Sequence, residues 1–178
     1  VLPDMGAIAK ECDPDIADPT ATFEAHWFSG AANLRRSIPK DKWALLDPGL
    51  SRFADAGEAI GHMEYLQAVD RCAALGSQMS MFHQRYDILL TPTMPITAFE
   101  VNRIAPQAWP DQQNWISWSP LTYPFNLTQQ PAAPIPCGFS RDGLPVGLQI
   151  VAAKYRDDLV LRTARAYESA SPVPVPAV

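Results

Sequence analysis

Ala132-Ala133-Pro134-Ile135-Pro136-Cys137-Gly138-Phe139-Ser140-Arg141-Asp142-Gly143-Leu144-Pro145-Val146-Gly147-Leu148-Gln149-Ile150-Val151-Ala152-Ala153 is the stretch on which the fold turns. Two apolar segments, Ala132 to Phe139 and Leu144 to Ala153, flank the polar link Ser140 to Gly143. An Asp-Gly pair between apolar runs marks a β-hairpin, because glycine enters the positive-φ conformations of a tight turn without strain. Gly143 is therefore expected at positive φ. Gly138 and Gly147 lie inside the strands, where a missing side chain permits a bulge or a close backbone approach.

Upstream of the hairpin, Tyr86-Asp87-Ile88-Leu89-Leu90-Thr91 is a short apolar run closed by Pro92. A continuous run with no alternation predicts a strand covered on both faces. It is fed by a periodic segment from His62 to about Arg85. There Met63, Leu66, Val69, Ala73, Met79, Phe82 and Tyr86 share one stripe and predict a long amphipathic helix. A long helix leading into a buried strand is α/β grammar. Earlier still, Pro48 starts a helix through roughly Ala59. Another begins near Thr20, with Thr20 or Thr22 as cap, a stripe of Phe23, Trp27, Ala31 and Leu34, and Arg35 and Arg36 in the last turn. Residues 1–19 read as an irregular lead-in. Between Pro92 and Pro110 the prolines predict a loop, with Trp109, Trp115 and Trp118 in or just after it and Asp111 capping a short helix. After the hairpin, Asp157 or Asp158 is expected to cap a final helix. The Pro-rich tail, 170–178, is expected to be extended.

The chain has 178 residues, of which 47% are hydrophobic and only 19% charged. That suffices for one domain with a real core, 1–178, but the sparse charge suits a surface partly covered by something else. A net charge of −5 with scattered basic residues offers no footprint for nucleic acid. Cys12, Cys72 and Cys137 are far apart and odd in number, which predicts free thiols in a reducing, cytoplasmic setting. No apolar run is long enough to span a membrane, and no signal peptide is visible.

The residues by themselves place no catalytic site. No serine has a glycine both two residues before and two after it, so there is no G-x-S-x-G elbow, and no phosphate-cradling loop occurs. His26, His62 and His83 stand alone on helices, and Asp13, Asp15 and Asp18 read as solvated loop residues, so no metal site and no cofactor are implied.

Three separated motifs add to this. Tyr123-Pro124-Phe125-Asn126-Leu127-Thr128-Gln129-Gln130-Pro131-Ala132 is followed by Pro136-Cys137-Gly138-Phe139, then by Asp142-Gly143-Leu144-Pro145-Val146-Gly147-Leu148-Gln149-Ile150-Val151. In that order they resemble the closing section of amidase-signature enzymes. Asp87 to Pro95 is similar to the family's D-x-L-x-x-P-T-x-P stretch, and Asp158 to Glu168 to its final helix. The resemblance runs from about Leu45 to Ser169. It implies an α/β fold, part of a mixed β-sheet flanked by helices. It also implies amide hydrolysis by a Ser–cis-Ser–Lys triad through an acyl-enzyme. The family's G-G-S-S-type signature is missing, since neither Gly-Gly nor Ser-Ser occurs anywhere, so no catalytic residue is assigned and the chain alone is expected to be inactive.

By the same resemblance, the stretch before P-x-N-L helps wall the acyl pocket, which makes Trp115, Trp118, Ser119 and Tyr123 the substrate-binding candidates. The tryptophans either line that pocket or pack under the Pro-rich loop. Glutamine-using relatives place an acidic residue where Ser119 stands, which counts against a glutamine substrate. Gln129 stands where the family often has Gly. The implied partners are a small amide substrate, a preceding N-terminal section, and further copies of the chain through exposed apolar surface. Two other readings compete: a glutaminase subunit of a tRNA amidotransferase, and a non-catalytic binding or assembly protein.

Overall fold

The computed structural model describes residues 1–111 and 114–173. In chain order its elements are α1 (Thr20–Arg36), α2 (Pro48–Ala59), α3 (His62–Phe82), β1 (Ile88–Pro92), α4 (Tyr123–Thr128), β2 (Ala132–Phe139), β3 (Pro145–Ala152) and α5 (Asp157–Ala170). Short 3-10 turns sit at Pro3–Met5, Lys40–Leu45 and Trp115–Trp118. Two compact units are distinguished: Ala17–Leu75, and Val1–Ile16 together with Gly76–Val178.

The second of these holds the sheet, ordered β1-β3-β2. Both strand pairs are antiparallel, so the α/β expectation is met by helices and a small antiparallel sheet. The parallel pairing of a mixed sheet does not occur among the described residues. The hairpin forms as its residues dictate. Gly143 N–H donates to the Ser140 carbonyl at 3.0 Å, Ser140 N–H donates to the Leu144 carbonyl at 2.8 Å, and Gly143 has φ +77°. A bulge between Pro136 and Gly138 leaves Cys137 as the extra residue of β2.

Side chains alternate across β3. Ile150 and Ala152 join Ile135 and Val160 of α5 on one face, and Val151 joins Met79, Phe82, Leu89 and Phe125 on the other. Each fully buried side chain of this size contributes roughly 1.5–3 kcal/mol. Cover on both faces of β1 holds where Ile88 meets the α5 side and Leu89 the opposite side. It ends at Leu90, which is 39% exposed on this edge strand. The final helix starts differently from expectation. Its N-cap is Arg156, with Asp157 and Asp158 inside the first turn, where their charge meets the helix dipole and Asp158 pairs with Arg156 at 2.9 Å. Ser171 to Val173 form no regular element, and residues 174–178 of the tail lie outside the described residues.

In the Ala17–Leu75 unit, the α1 stripe is rotated from the one the sequence suggests. Trp27 and Leu34 are exposed, while Thr22, Phe23, Ala25, Ala31, Ala32 and Arg35 are buried. Neither Thr20 nor Thr22 caps the helix. Asp18 accepts from the Thr20 backbone N–H at 2.9 Å and from its hydroxyl at 2.6 Å. α2 begins at Pro48 with Asp47 accepting from the N–H groups of Gly49 and Leu50. It lies so close to α1 that a methyl group at Gly57 would overlap the Phe28 carbonyl. Arg35, in the last turn as expected, is only 5% exposed; it pairs with Asp55 and Glu58 of α2 and stacks 4.6 Å from the Trp43 ring. Those carboxylates raise its pKa above the ordinary value.

The buried positions of α3 are Ala68, Leu75, Met79 and Phe82. Only the C-terminal end of the expected stripe coincides with them. Met63 is 67% exposed, and Leu66, Val69 and Ala73 are exposed as well.

Candidate functional site

The segment Asn114–Thr128 carries the four candidate residues. Asn114, and not Asp111, caps its first turn, accepting from the Ile116 N–H at 3.0 Å. Ile116 is fully buried and anchors the turn. Trp115 and Trp118 are half-buried. Trp118 donates from Nε1 to the Ile104 carbonyl at 2.8 Å and meets the Phe99 ring edge-on at 5.4 Å, so it packs under the Pro-rich loop. Trp109 reaches the same turn, donating to Ser117 Oγ at 2.9 Å.

Ser119 and Tyr123 are 1% and 2% exposed. The Ser119 hydroxyl donates to the Ile116 and Trp115 carbonyls, at 3.2 and 3.3 Å, so its proton is committed to its own turn. Next in the chain, α4 ends at Gln129, which adopts φ +55° in the left-handed C-cap position that Gly usually fills. The unusual residue thus keeps the local conformation that a glycine would give.

Gln149 holds this segment to the sheet, and the residue pattern did not single it out. Buried on β3, its Nε2 donates to Thr91 Oγ1 on β1 at 2.9 Å and to the Leu121 carbonyl at 2.7 Å. Gln130 does the same beyond α4, donating to the Ala152 carbonyl at 2.9 Å while its Oε1 accepts from Thr128. A polar residue in an apolar strand was the available signal, since a buried amide must be satisfied.

A cavity of about 560 Å³ opens at the hairpin end of the sheet, lined by residues 93–98, 134–136 and 145–147. It contains none of Trp115, Trp118, Ser119 or Tyr123. Gly147, at its wall, has no room for a side chain, whose first carbon would lie 2.7 Å from Thr93 Oγ1. Among the histidines, burial lowers the pKa of His83, whose Nδ1 lies 3.0 Å from the Tyr86 carbonyl.

The sequence profile of the Amidase family matches residues 13–161. This chain belongs to the amidase family. It is 41% identical over 175 residues to an acylamidase of Rhodococcus erythropolis, covering 95% of this chain and 36% of that protein. It is 45% identical over 83 residues to a glutamyl-tRNA(Gln) amidotransferase component of Brevibacillus brevis, covering 47% of this chain and 16% of that component. Among solved structures, an amidase crystal structure superposes with a TM-score of 0.83 at 24% identity, over 96% of this chain and 39% of that one. A bacterial aryl acylamidase of the amidase-signature family superposes with a TM-score of 0.76 at 23% identity, over 96% and 38%. The chain thus spans little more than a third of the acylamidase. Among the described residues no helix is long and apolar enough to cross a membrane.

Proposed function

We propose that this chain, taken as one piece over 1–178, is the pocket-side C-terminal section of an amidase. The parent hydrolyses carboxylic amides through a Ser–cis-Ser–Lys acyl-enzyme, with the triad supplied by a preceding section. The observation that carries this is the 41% identity to an acylamidase over nearly the whole chain. In this reading the segment that carries Trp115, Trp118, Ser119 and Tyr123 supplies an aromatic-rich wall for an apolar or aryl acyl group, with the buried Ser119 and Tyr123 backing it. The burial of Ser119, with its hydroxyl bound to backbone carbonyls, counts against the glutaminase reading, which asks for a group there that greets the substrate's amino group. Three free cysteines fit a cytoplasmic setting.

With neither Gly-Gly nor Ser-Ser in the sequence, the chain carries no nucleophile motif and is inactive alone. The purified chain is expected to release no product from aryl or aliphatic amides above buffer background. Turnover that survives repurification and is abolished by a serine-directed phosphonate would overturn this. Intact mass of the native gene product tests the other half: a mass matching 178 residues would favour a stand-alone binding or assembly protein.

A further inference from the structure

We infer that Gln149 is a positioning residue: resting on the amidase reading above, it seats the segment that walls the acyl pocket and so sets how well an aryl acyl group binds. It acts through the carbonyl of Leu121 and not by contact with the substrate.

Gln149 stands directly opposite Thr91 of β1, two residues from the Leu89–Val151 pair, so all four side chains share one face of the sheet. Its Nε2 uses both hydrogens, one on Thr91 Oγ1 at 2.9 Å and one on the Leu121 carbonyl at 2.7 Å. A carbonyl only accepts, so the nitrogen end of the amide must face Leu121. The side chain is buried, and a primary amide is the one group of this length that offers two donors without a charge.

Leu121 lies among the residues of the wall. Ser119 and Tyr123 flank it, and Trp115 and Trp118 precede it in one short turn. That turn is tied internally. Ser119 Oγ donates to the Ile116 carbonyl, and Thr122 donates to the Ser119 carbonyl from its N–H at 3.3 Å and its hydroxyl at 3.2 Å. The turn therefore moves as one piece, and its seat on the sheet decides where the wall stands. Phe125 joins Val151 in the core, but apolar burial is non-directional and leaves sliding free. Gln130 bonds the Ala152 carbonyl only at the far end of α4, beyond the wall. Gln149 supplies the directional bond at the wall itself. A misplacement of about 1 Å at a substrate-positioning group costs up to about 100-fold in activity.

Ammonia release from benzamide and propionamide by the complete gene product is the test, with the two amides followed side by side. The benzamide ring meets the wall and the smaller propionamide does not. Gln149→Met keeps the length of the side chain and removes both donors. It should raise KM for benzamide about tenfold and leave kcat, and both constants for propionamide, within about twofold. Thr91→Val removes the acceptor that orients the amide, and should lower the benzamide-to-propionamide ratio of kcat/KM about threefold. Thr91→Ser keeps that acceptor and should restore the ratio. The Thr91 pair keeps the test intact if Gln149→Met loses its native circular dichroism. Val160→Ala, in the core on the other face of the sheet, should lower the melting temperature and leave the ratio unchanged. A ratio unmoved in the folded Gln149 and Thr91 variants overturns the positioning role alone. Equal losses on both amides overturn it as well, because they report lost structure and not a displaced wall. A wild-type product that hydrolyses neither amide overturns the amidase reading and this role with it.

Discussion

Gly143 and Gln129 occupy the same corner of backbone space, at φ +77° and +55°, with opposite consequences. At Gly143 no atom lies within 4 Å of where a side chain would begin, so only conformation restricts the residue. Gly143→Val should lower unfolding stability by about 1–2 kcal/mol in urea titrations, the cost of forcing a β-branched residue to positive φ. An unchanged midpoint would place the turn elsewhere. Gln129 already bears that cost. Gln129→Gly should raise stability by about 0.5–1 kcal/mol, the left-handed penalty less the greater chain entropy of glycine. A loss of stability would mean that the Gln129 side chain makes a compensating contact.

Among the elements, the α1–α2 pair depends on one absent side chain. Glycine inside a helix normally costs stability, and replacing it by alanine gains up to about 1 kcal/mol. Gly57 reverses that rule because the added methyl would overlap the Phe28 carbonyl, a backbone atom that cannot rotate away. Gly57→Ala is expected to destabilise the Ala17–Leu75 unit by about 3 kcal/mol or more, read as early loss of helical signal on heating. The same packing takes Arg35 out of solvent, where Asp55 and Glu58 satisfy two of its nitrogens.

At the scale of the whole molecule, several large apolar residues stand open to water. Ile8, Leu45, Met63, Val101, Tyr155 and Leu161 are each at least 66% exposed. Met63, Leu66 and Val69 follow one another along α3. Such surface binds apolar dyes and favours association. Fluorescence of an anilinonaphthalene sulfonate should rise in native buffer and fall when the chain is bound by whatever completes it. Negligible dye binding would show a self-contained core and move the stand-alone binding-protein reading ahead of the amidase-section reading.

Element type and order were legible in the sequence because local chemistry dictates them. Asp142-Gly143 turned the chain, Pro48 opened α2, and the short apolar run closed by Pro92 became β1. The amidase resemblance was legible for a related reason, since its motifs are short and hold their order. Helical periodicity, by contrast, identifies an apolar stripe without saying which neighbour will cover it. Trp27 and Leu34 therefore came out exposed while Arg35 went in, and Met63, Leu66 and Val69 stayed open. The amide of Gln149 found partners 58 and 28 positions away in the chain, pairings that no local pattern encodes.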